Sequence, residues 1–191
     1  MDFSLSNDQI AFKSMIQSFA KDKMAPYANK WDKEKTLPID VLREAATLGL
    51  GGIYVDEKLG GTGLGRLDAA IIFEELSTAC PSTAAFISIH NMATWMVSKY
   101  GTKYHFDKYL PKLLSMEYIT SYCLTEPGSG SDAAALSTSA IKEGDYYVLN
   151  GTKAFISGAT ISDTYLTMVR TGDKSPNGIS CVLIDKDSEG L

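Results

Sequence analysis

Tyr122-Cys123-Leu124-Thr125-Glu126-Pro127-Gly128-Ser129-Gly130-Ser131-Asp132 is the stretch on which the reading of this chain turns. It closes a β-branched and aromatic run from Tyr118 to Thr125 and opens into a loop of Pro, Gly and Ser. Upstream of it apolar residues recur at helix spacing; downstream they alternate with period two. The loop itself offers a ligand backbone N–H groups and hydroxyls, and Gly128 and Gly130 permit positive φ and close approach. A concave donor array around a phosphate or a heterocycle fits this composition, and so does an ordinary tight turn.

Two familiar nucleotide motifs fail here. Gly128-Ser129-Gly130-Ser131-Asp132-Ala133 fits G-x-G-x-x-A, but that fingerprint requires a following helix and an acidic residue about 20 positions on. Ser137-Thr138-Ser139-Ala140-Ile141 favours a strand instead, and residues 146–162 contain no Asp or Glu. A Walker A loop is excluded because no Lys-Ser or Lys-Thr follows the glycines.

A second segment has the right chemistry to accompany the loop. Tyr146-Tyr147-Val148-Leu149 reads as a strand ending at the turn pair Asn150-Gly151, with Lys153-Ala154-Phe155-Ile156-Ser157 returning before Gly158. Such a hairpin predicts Phe155 and Ser157 on one face, a ring and a hydroxyl suited to a flat cofactor. The same alternation also describes a core side and a solvent side.

The N-terminal part predicts helices. Ser6 and Gln9 form a capping box ahead of Phe12, Met15, Ile16 and Phe19, and Pro26 ends the pattern. A second helix starts near Pro38, buries Val41, Leu42, Ala45 and Leu48, and stops at Gly49. The glycine-rich run to Gly65 is long enough to imply a functional or closely packed loop. Helices near 66–78 and 82–100 follow, the latter with a stripe of Phe86, Ile89, Ala93, Met96 and Tyr100. A last helical piece over 103–115 must bend at Pro111. Strands are expected over 118–125, 136–142, 145–150, 152–157, 163–170 and 179–185. The predicted fold class is therefore α+β, an all-α N-terminal domain over 1–116 and an antiparallel β domain over 117–191.

Composition narrows the function classes. The 191 residues are 45% hydrophobic and 21% charged with net charge -5, and no Lys/Arg block points to nucleic acid or an anionic membrane. No apolar run approaches the roughly 18 residues of a membrane span. Cys80, Cys123 and Cys181 are widely spaced without C-x-x-C, which argues against a disulfide framework or zinc site and for a reducing compartment. No His/Cys/Asp/Glu cluster has ligand spacing, so no metal is expected. His90 is expected to be a core histidine bonded to backbone, and His105 a surface one. The first residues show neither a secretory signal nor a transit-peptide pattern.

Taken together, residues 122–132 and Leu149-Asn150-Gly151-Thr152-Lys153-Ala154-Phe155-Ile156-Ser157-Gly158 resemble the paired flavin-binding signatures of the acyl-CoA dehydrogenases. The resemblance runs the length of the chain, through Gly49-Leu50-Gly51-Gly52-Ile53-Tyr54 and Gly60-Gly61-Thr62-Gly63-Leu64. Ile87-Ser88-Ile89-His90-Asn91-Met92 is most similar to the branch that acts on isobutyryl-CoA. The resemblance implies FAD as cofactor and α,β-desaturation of a short branched acyl-CoA in branched-chain amino-acid (valine) catabolism. It further implies a mitochondrial matrix location, electron-transfer flavoprotein as acceptor, and a homotetramer.

Residue by residue, the resemblance implies that Tyr122, Cys123, Leu124 and Thr125 border the flavin ring and that Gly130 and Ser131 bind near its phosphates. Ser131 would also face the acyl-CoA. Phe155 would cover the ring, with Ile156 and Ser157 completing the contact; many members carry Trp and Thr where Phe155 and Ser157 stand. The family's catalytic base belongs to a later helical domain. The base is therefore expected beyond Leu191, no catalytic residue is assigned within the sequence, and the β domain is expected to be incomplete at Leu191. Glu126 and Asp132 are expected to shape the loop. The alternatives are a non-catalytic product that binds a partner subunit, and a flavin oxidase or monooxygenase on the same scaffold.

Overall fold

The computed structural model describes residues 4–191. The chain divides into two compact units, one ending at Tyr118 and the other beginning at Ile119.

The first unit is helical. Helix α1 (Asn7–Phe19) starts where expected, with the Ser6 hydroxyl accepting from the Gln9 amide and the Gln9 side chain returning to the Ser6 amide. It does not run as α-helix to Pro26: Ala20–Met24 form a wider π-helical turn, and a short helix α2 (Ala28–Glu34), not anticipated from the sequence, follows. Then come α3 (Ile39–Thr47), α4 (Arg66–Ala79), α5 (Pro81–Tyr100), α6 (Lys103–Lys108) and α7 (Leu110–Leu114). The last helical piece breaks at Tyr109, which places Pro111 in the first turn of α7 where its missing N–H costs nothing.

The buried face of α5 departs from the expected stripe. Tyr100 is 71% exposed, while Phe86, Ile87, His90, Asn91, Ala93, Thr94 and Val97 face the core. Two polar side chains on that face organise the unit. Asn91 accepts from the Ile53 amide at 2.7 Å and donates to the carbonyls of Leu50 (2.7 Å) and Ile87 (2.9 Å). It thereby pins the glycine-rich connection, which is a closely packed loop: a Cβ at Gly51 would lie 2.0 Å from the Leu114 carbonyl oxygen. His90 bonds the Leu113 carbonyl at 2.8 Å, as the backbone-bonded reading expects.

The second unit is a five-stranded sheet of β1 (Thr120–Cys123), β2 (Ser139–Glu143), β3 (Tyr146–Asn150), β4 (Thr164–Arg170) and β5 (Ile179–Asp185). The α+β reading holds, but the sheet is mixed, not purely antiparallel. β1 pairs with β4 in parallel, Thr120 opposite Thr164, and β2 meets β4 in parallel at Ser139 and Arg170. β2–β3 and β4–β5 are antiparallel. The expected strand over 152–157 does not form. The hairpin that exists is β2–β3, turning at Gly144 with φ 62°, and Asn150-Gly151 ends β3 without returning as a strand.

Burial pulls the His90 imidazole down to a pKa of about 4, against the rise its backbone bond supplies. A folded value below the ordinary ~6.5 means that the unfolded chain takes up the proton first, so stability is full above about pH 6.5 and is lost as pH falls toward 4. We expect about 2 kcal/mol of loss from this group between pH ~7 and ~5. His90→Leu should start less stable by about 0.5–1.5 kcal/mol, because the Leu113 carbonyl loses its imidazole bond and keeps that from the Met116 amide, yet show a flatter pH dependence. Urea unfolding at the two pH values checks this, and identical slopes for both proteins would refute it.

Candidate functional site

All nine sequence-predicted site residues lie in the sheet unit, and hydrogen bonds join the segments that carry 122–125 and 155–157. Tyr122 and Cys123 end β1, and the chain leaves the sheet at Leu124 and Thr125. The segment 151–157 lies beside them: the Ala154 amide donates to the Thr125 carbonyl at 2.8 Å, and the Ser121 hydroxyl to the Ser157 carbonyl at 2.6 Å. Between these ties Phe155 takes a left-handed φ of 56° and is 94% exposed. Phe155 and Ser157 therefore do not share the face of a strand. They belong to a loop, and what the strand reading missed is that its backbone pairs with residues 121 and 125, not with β3.

The turn at 126–129 closes through mutual bonds, Glu126 amide to Ser129 carbonyl at 2.9 Å and Ser129 amide to Glu126 carbonyl at 3.1 Å. The Ser129 hydroxyl then donates to the Asp132 carbonyl at 2.6 Å. Gly128 and Gly130 do not use positive φ, contrary to the sequence expectation. Their value is space: a Cβ at either would meet nothing within 4 Å. The amides of Gly130 and Ser131, and the hydroxyls of Thr125 and Ser131, have no hydrogen-bond partner among the described residues. Open backbone, unused donors and an uncovered ring are what a flat, phosphate-bearing ligand requires.

Glu126 shapes the loop, as expected, and spacing alone did not announce its partners. Only 6% exposed, its carboxylate takes four donors: the Ser137 amide (2.7 Å) and hydroxyl (2.8 Å), the Thr138 amide (2.9 Å) and the Lys153 ammonium (2.8 Å). Burial pushes this carboxyl up, but the Lys153 ammonium and the donors of residues 137–138 outweigh it and hold it well below the usual carboxylate range. Lys153 also bonds the Leu124 carbonyl at 3.0 Å. The signal available in the sequence was a lone Lys within the second flavin-like segment, opposite a Glu in the first. Beside this pair, burial raises the Tyr122 phenol and the Cys123 thiol, keeping both neutral. Asp132, by contrast, contributes its backbone carbonyl to the loop.

A catalytic base beyond Leu191, as the sequence reading expects, would fall outside the described residues. Leu191 itself is no part of the site: it follows the turn after β5, is 66% exposed, and its amide bonds the Ser188 carbonyl at 3.2 Å. Its side chain has no group that could take up a proton, so Leu191 marks a position in the chain and carries no catalytic role.

A separate cavity of about 300 Å³ lies in the helical unit, lined by residues including Phe12, Met15, Leu50, Ile53, Leu64 and Ile72. It contains none of the nine residues. Among the described residues no group of three or more His, Cys, Asp or Glu could hold a metal ion, and no helix is long and apolar enough to cross a membrane.

Comparison with known proteins decides the family. Residues 6–117 match the acyl-CoA dehydrogenase N-terminal domain, and residues 121–191 match the acyl-CoA dehydrogenase middle domain. The chain belongs to the acyl-CoA dehydrogenase family. This is an oxidoreductase family that uses FAD. Mitochondrial isobutyryl-CoA dehydrogenases of Dictyostelium discoideum and Bos taurus are similar to it, 61% and 50% identical over 98% of this chain and 45% of each relative. An FAD complex of PigA superposes with a TM-score of 0.92 at 31% identity, covering all of this chain and 51% of that one. The chain thus spans about half the length of the relatives it matches.

The glycines of this candidate site separate packing from ligand access. A Cβ at Gly151 would stand 2.6 Å from the Thr138 Cα, so Gly151→Ala should destabilise the sheet unit by about 1–3 kcal/mol through overpacking. Gly130→Ala has open space around it and should leave the melting temperature unchanged while weakening FAD. Thermal melts beside FAD titrations of both variants check this; an equal loss of stability in the two would refute it.

Proposed function

We propose that this chain supplies flavin-binding groups of an FAD-dependent acyl-CoA dehydrogenase that desaturates short branched acyl-CoA thioesters, with isobutyryl-CoA favoured. Residues 1–116 serve as its helical domain and 117–191 as part of its β domain. The observation that carries the reading is that residues 122–125 and 155–157 are joined in one unit by the Ala154–Thr125 and Ser121–Ser157 bonds, with 130–131 on the loop that continues from residue 125. The activity named for the two isobutyryl-CoA dehydrogenases supports the substrate, and their mitochondrial location supports the matrix. Electron-transfer flavoprotein as acceptor and a homotetrameric assembly complete the proposal, both following from the family.

When bound, FAD supplies the acceptor for the hydride leaving the substrate β-carbon. This chain's residues bind and orient. Phe155 offers an exposed ring to a flat heterocycle, the Thr125 hydroxyl offers a hydrogen bond to its polar edge, and Leu124, Ile156 and Ser157 complete the contact. Gly130 and Ser131 present amides and a hydroxyl to phosphate oxygens, and Ser131 also contacts the acyl-CoA. Tyr122 and Cys123 close the sheet side as neutral groups. Glu126 is not the α-proton base: its carboxylate is saturated by four donors and held far from the pKa such a base needs. The base is assigned to the part of the full-length protein that follows Leu191.

Phe155→Ala and Thr125→Ala in the full-length protein should each weaken FAD binding, the ring deletion by on the order of 1 kcal/mol or about fivefold in Kd. Unchanged flavin occupancy and spectrum in both variants would count against the placement. Activity on isobutyryl-CoA should exceed that on octanoyl-CoA by about tenfold or more in kcat/KM, since a few misfitted methylenes are worth about 1–3 kcal/mol each. Equal efficiency would sink the substrate assignment.

A further inference from the structure

We propose that Lys153 and Glu126 are positioning residues: their buried pair clamps segment 151–157 onto residues 124–126 and so holds the Phe155 backbone in its left-handed conformation, ring outward. The proposal rests on the flavin reading for what the ring faces, but the clamp itself is a property of this chain.

The order of residues along the segment makes the case. Lys153 is anchored at two points, the Leu124 carbonyl (3.0 Å) and the Glu126 carboxylate (2.8 Å), with side chains only 10% and 5% exposed. Ala154 is anchored at one, the Thr125 carbonyl (2.8 Å). Phe155 comes next, with φ 56°. A bulky residue at positive φ is an outlier that persists only where its surroundings over-determine it. Its own ring cannot do so, since the residue is 94% exposed, and the segment belongs to no strand. Polar ties on the N-terminal side, and on the C-terminal side the Ser121–Ser157 bond and the Ala159 amide's bond to the Ile156 carbonyl (3.2 Å), are what hold it. Glu126 is in turn fixed by the amides of Ser137 and Thr138 at the entry to β2, so the clamp is referred to the sheet.

A purely structural ion pair and a positioning one behave differently when replaced by a neutral, space-filling pair. A neutral substitute recovers stability relative to either single variant because it leaves no unpaired buried charge. It does not restore a bond to the Leu124 carbonyl.

The test compares Lys153→Met, Glu126→Gln and the double variant by amide hydrogen exchange without FAD and by FAD titration. In Lys153→Met the Ala154 amide should exchange about tenfold faster or more while β4 and β5 amides keep their protection, a local rather than global opening. FAD Kd should rise by about tenfold. The double variant, which leaves no uncompensated charge, should regain melting temperature without regaining Ala154 protection or FAD affinity. Unchanged Ala154 exchange in Lys153→Met, or recovery of both properties in the double variant, would overturn the proposal. Failure of the unsubstituted protein to bind FAD would sink the flavin reading alone, since the exchange measurement decides the clamp without cofactor.

Discussion

The carboxylate of Glu126 is the constraint around which the sheet unit's loops are arranged. An anion removed from water must be surrounded by donors, and the effective cost of an unpaired one is several kcal/mol. Four donors come from two places in the chain, residues 137–138 and Lys153. Hydrogen bonds to a charged group contribute about 1.5–3 kcal/mol each, so the network roughly offsets the burial. Its product is geometry. The loop leaving β1, the entry to β2 and the segment after β3 are fixed to one another where no strand pairing reaches.

The helical unit solves the same problem with a neutral group. Asn91 uses its one carbonyl and its amide to bond three backbone groups, two of them at Leu50 and Ile53 in the glycine-rich connection. No ionisation is at stake, so this anchor does not depend on pH. The two units therefore place irregular backbone through side-chain bonds, one from an amide on a helix and one from an ion pair between loops. Loops without secondary structure need such anchors, because their buried N–H and C=O groups have no ladder to satisfy them.

Much of this was legible residue by residue. The Ser6–Gln9 box, the start of α5 near Pro81 and the change of period near residue 118 are local patterns, and they lead to local structure. What failed was of two kinds. The parallel pairing of β1 with β4 joins residues 44 apart in sequence, and no short-range pattern encodes which strands meet. Asn150-Gly151 failed for a different reason. The pair has turn chemistry, but Gly151 is glycine because Thr138 leaves no room for a Cβ, not because the backbone needs a left-handed turn there. The left-handed non-glycine residue is Phe155, five positions from the apparent signal's start. In the candidate site, residue types were readable and the Glu126–Lys153 tie was not, since nothing in either residue's neighbours announces a contact across 27 positions.

The exposed, strained Phe155 carries two costs in the free chain. Positive φ at a bulky residue costs on the order of 1–3 kcal/mol, and an uncovered ring forfeits the hydrophobic gain a buried one would have, about 1.5–3 kcal/mol. A chain free to relax would recover both by turning the ring inward. That the segment is tied at Lys153, Ala154 and Ser157 blocks this relaxation. The cost is then met in folding, before any ligand arrives. A flat partner laid on the ring regains the apolar term without having to order the loop, and ordering is what otherwise subtracts most from binding.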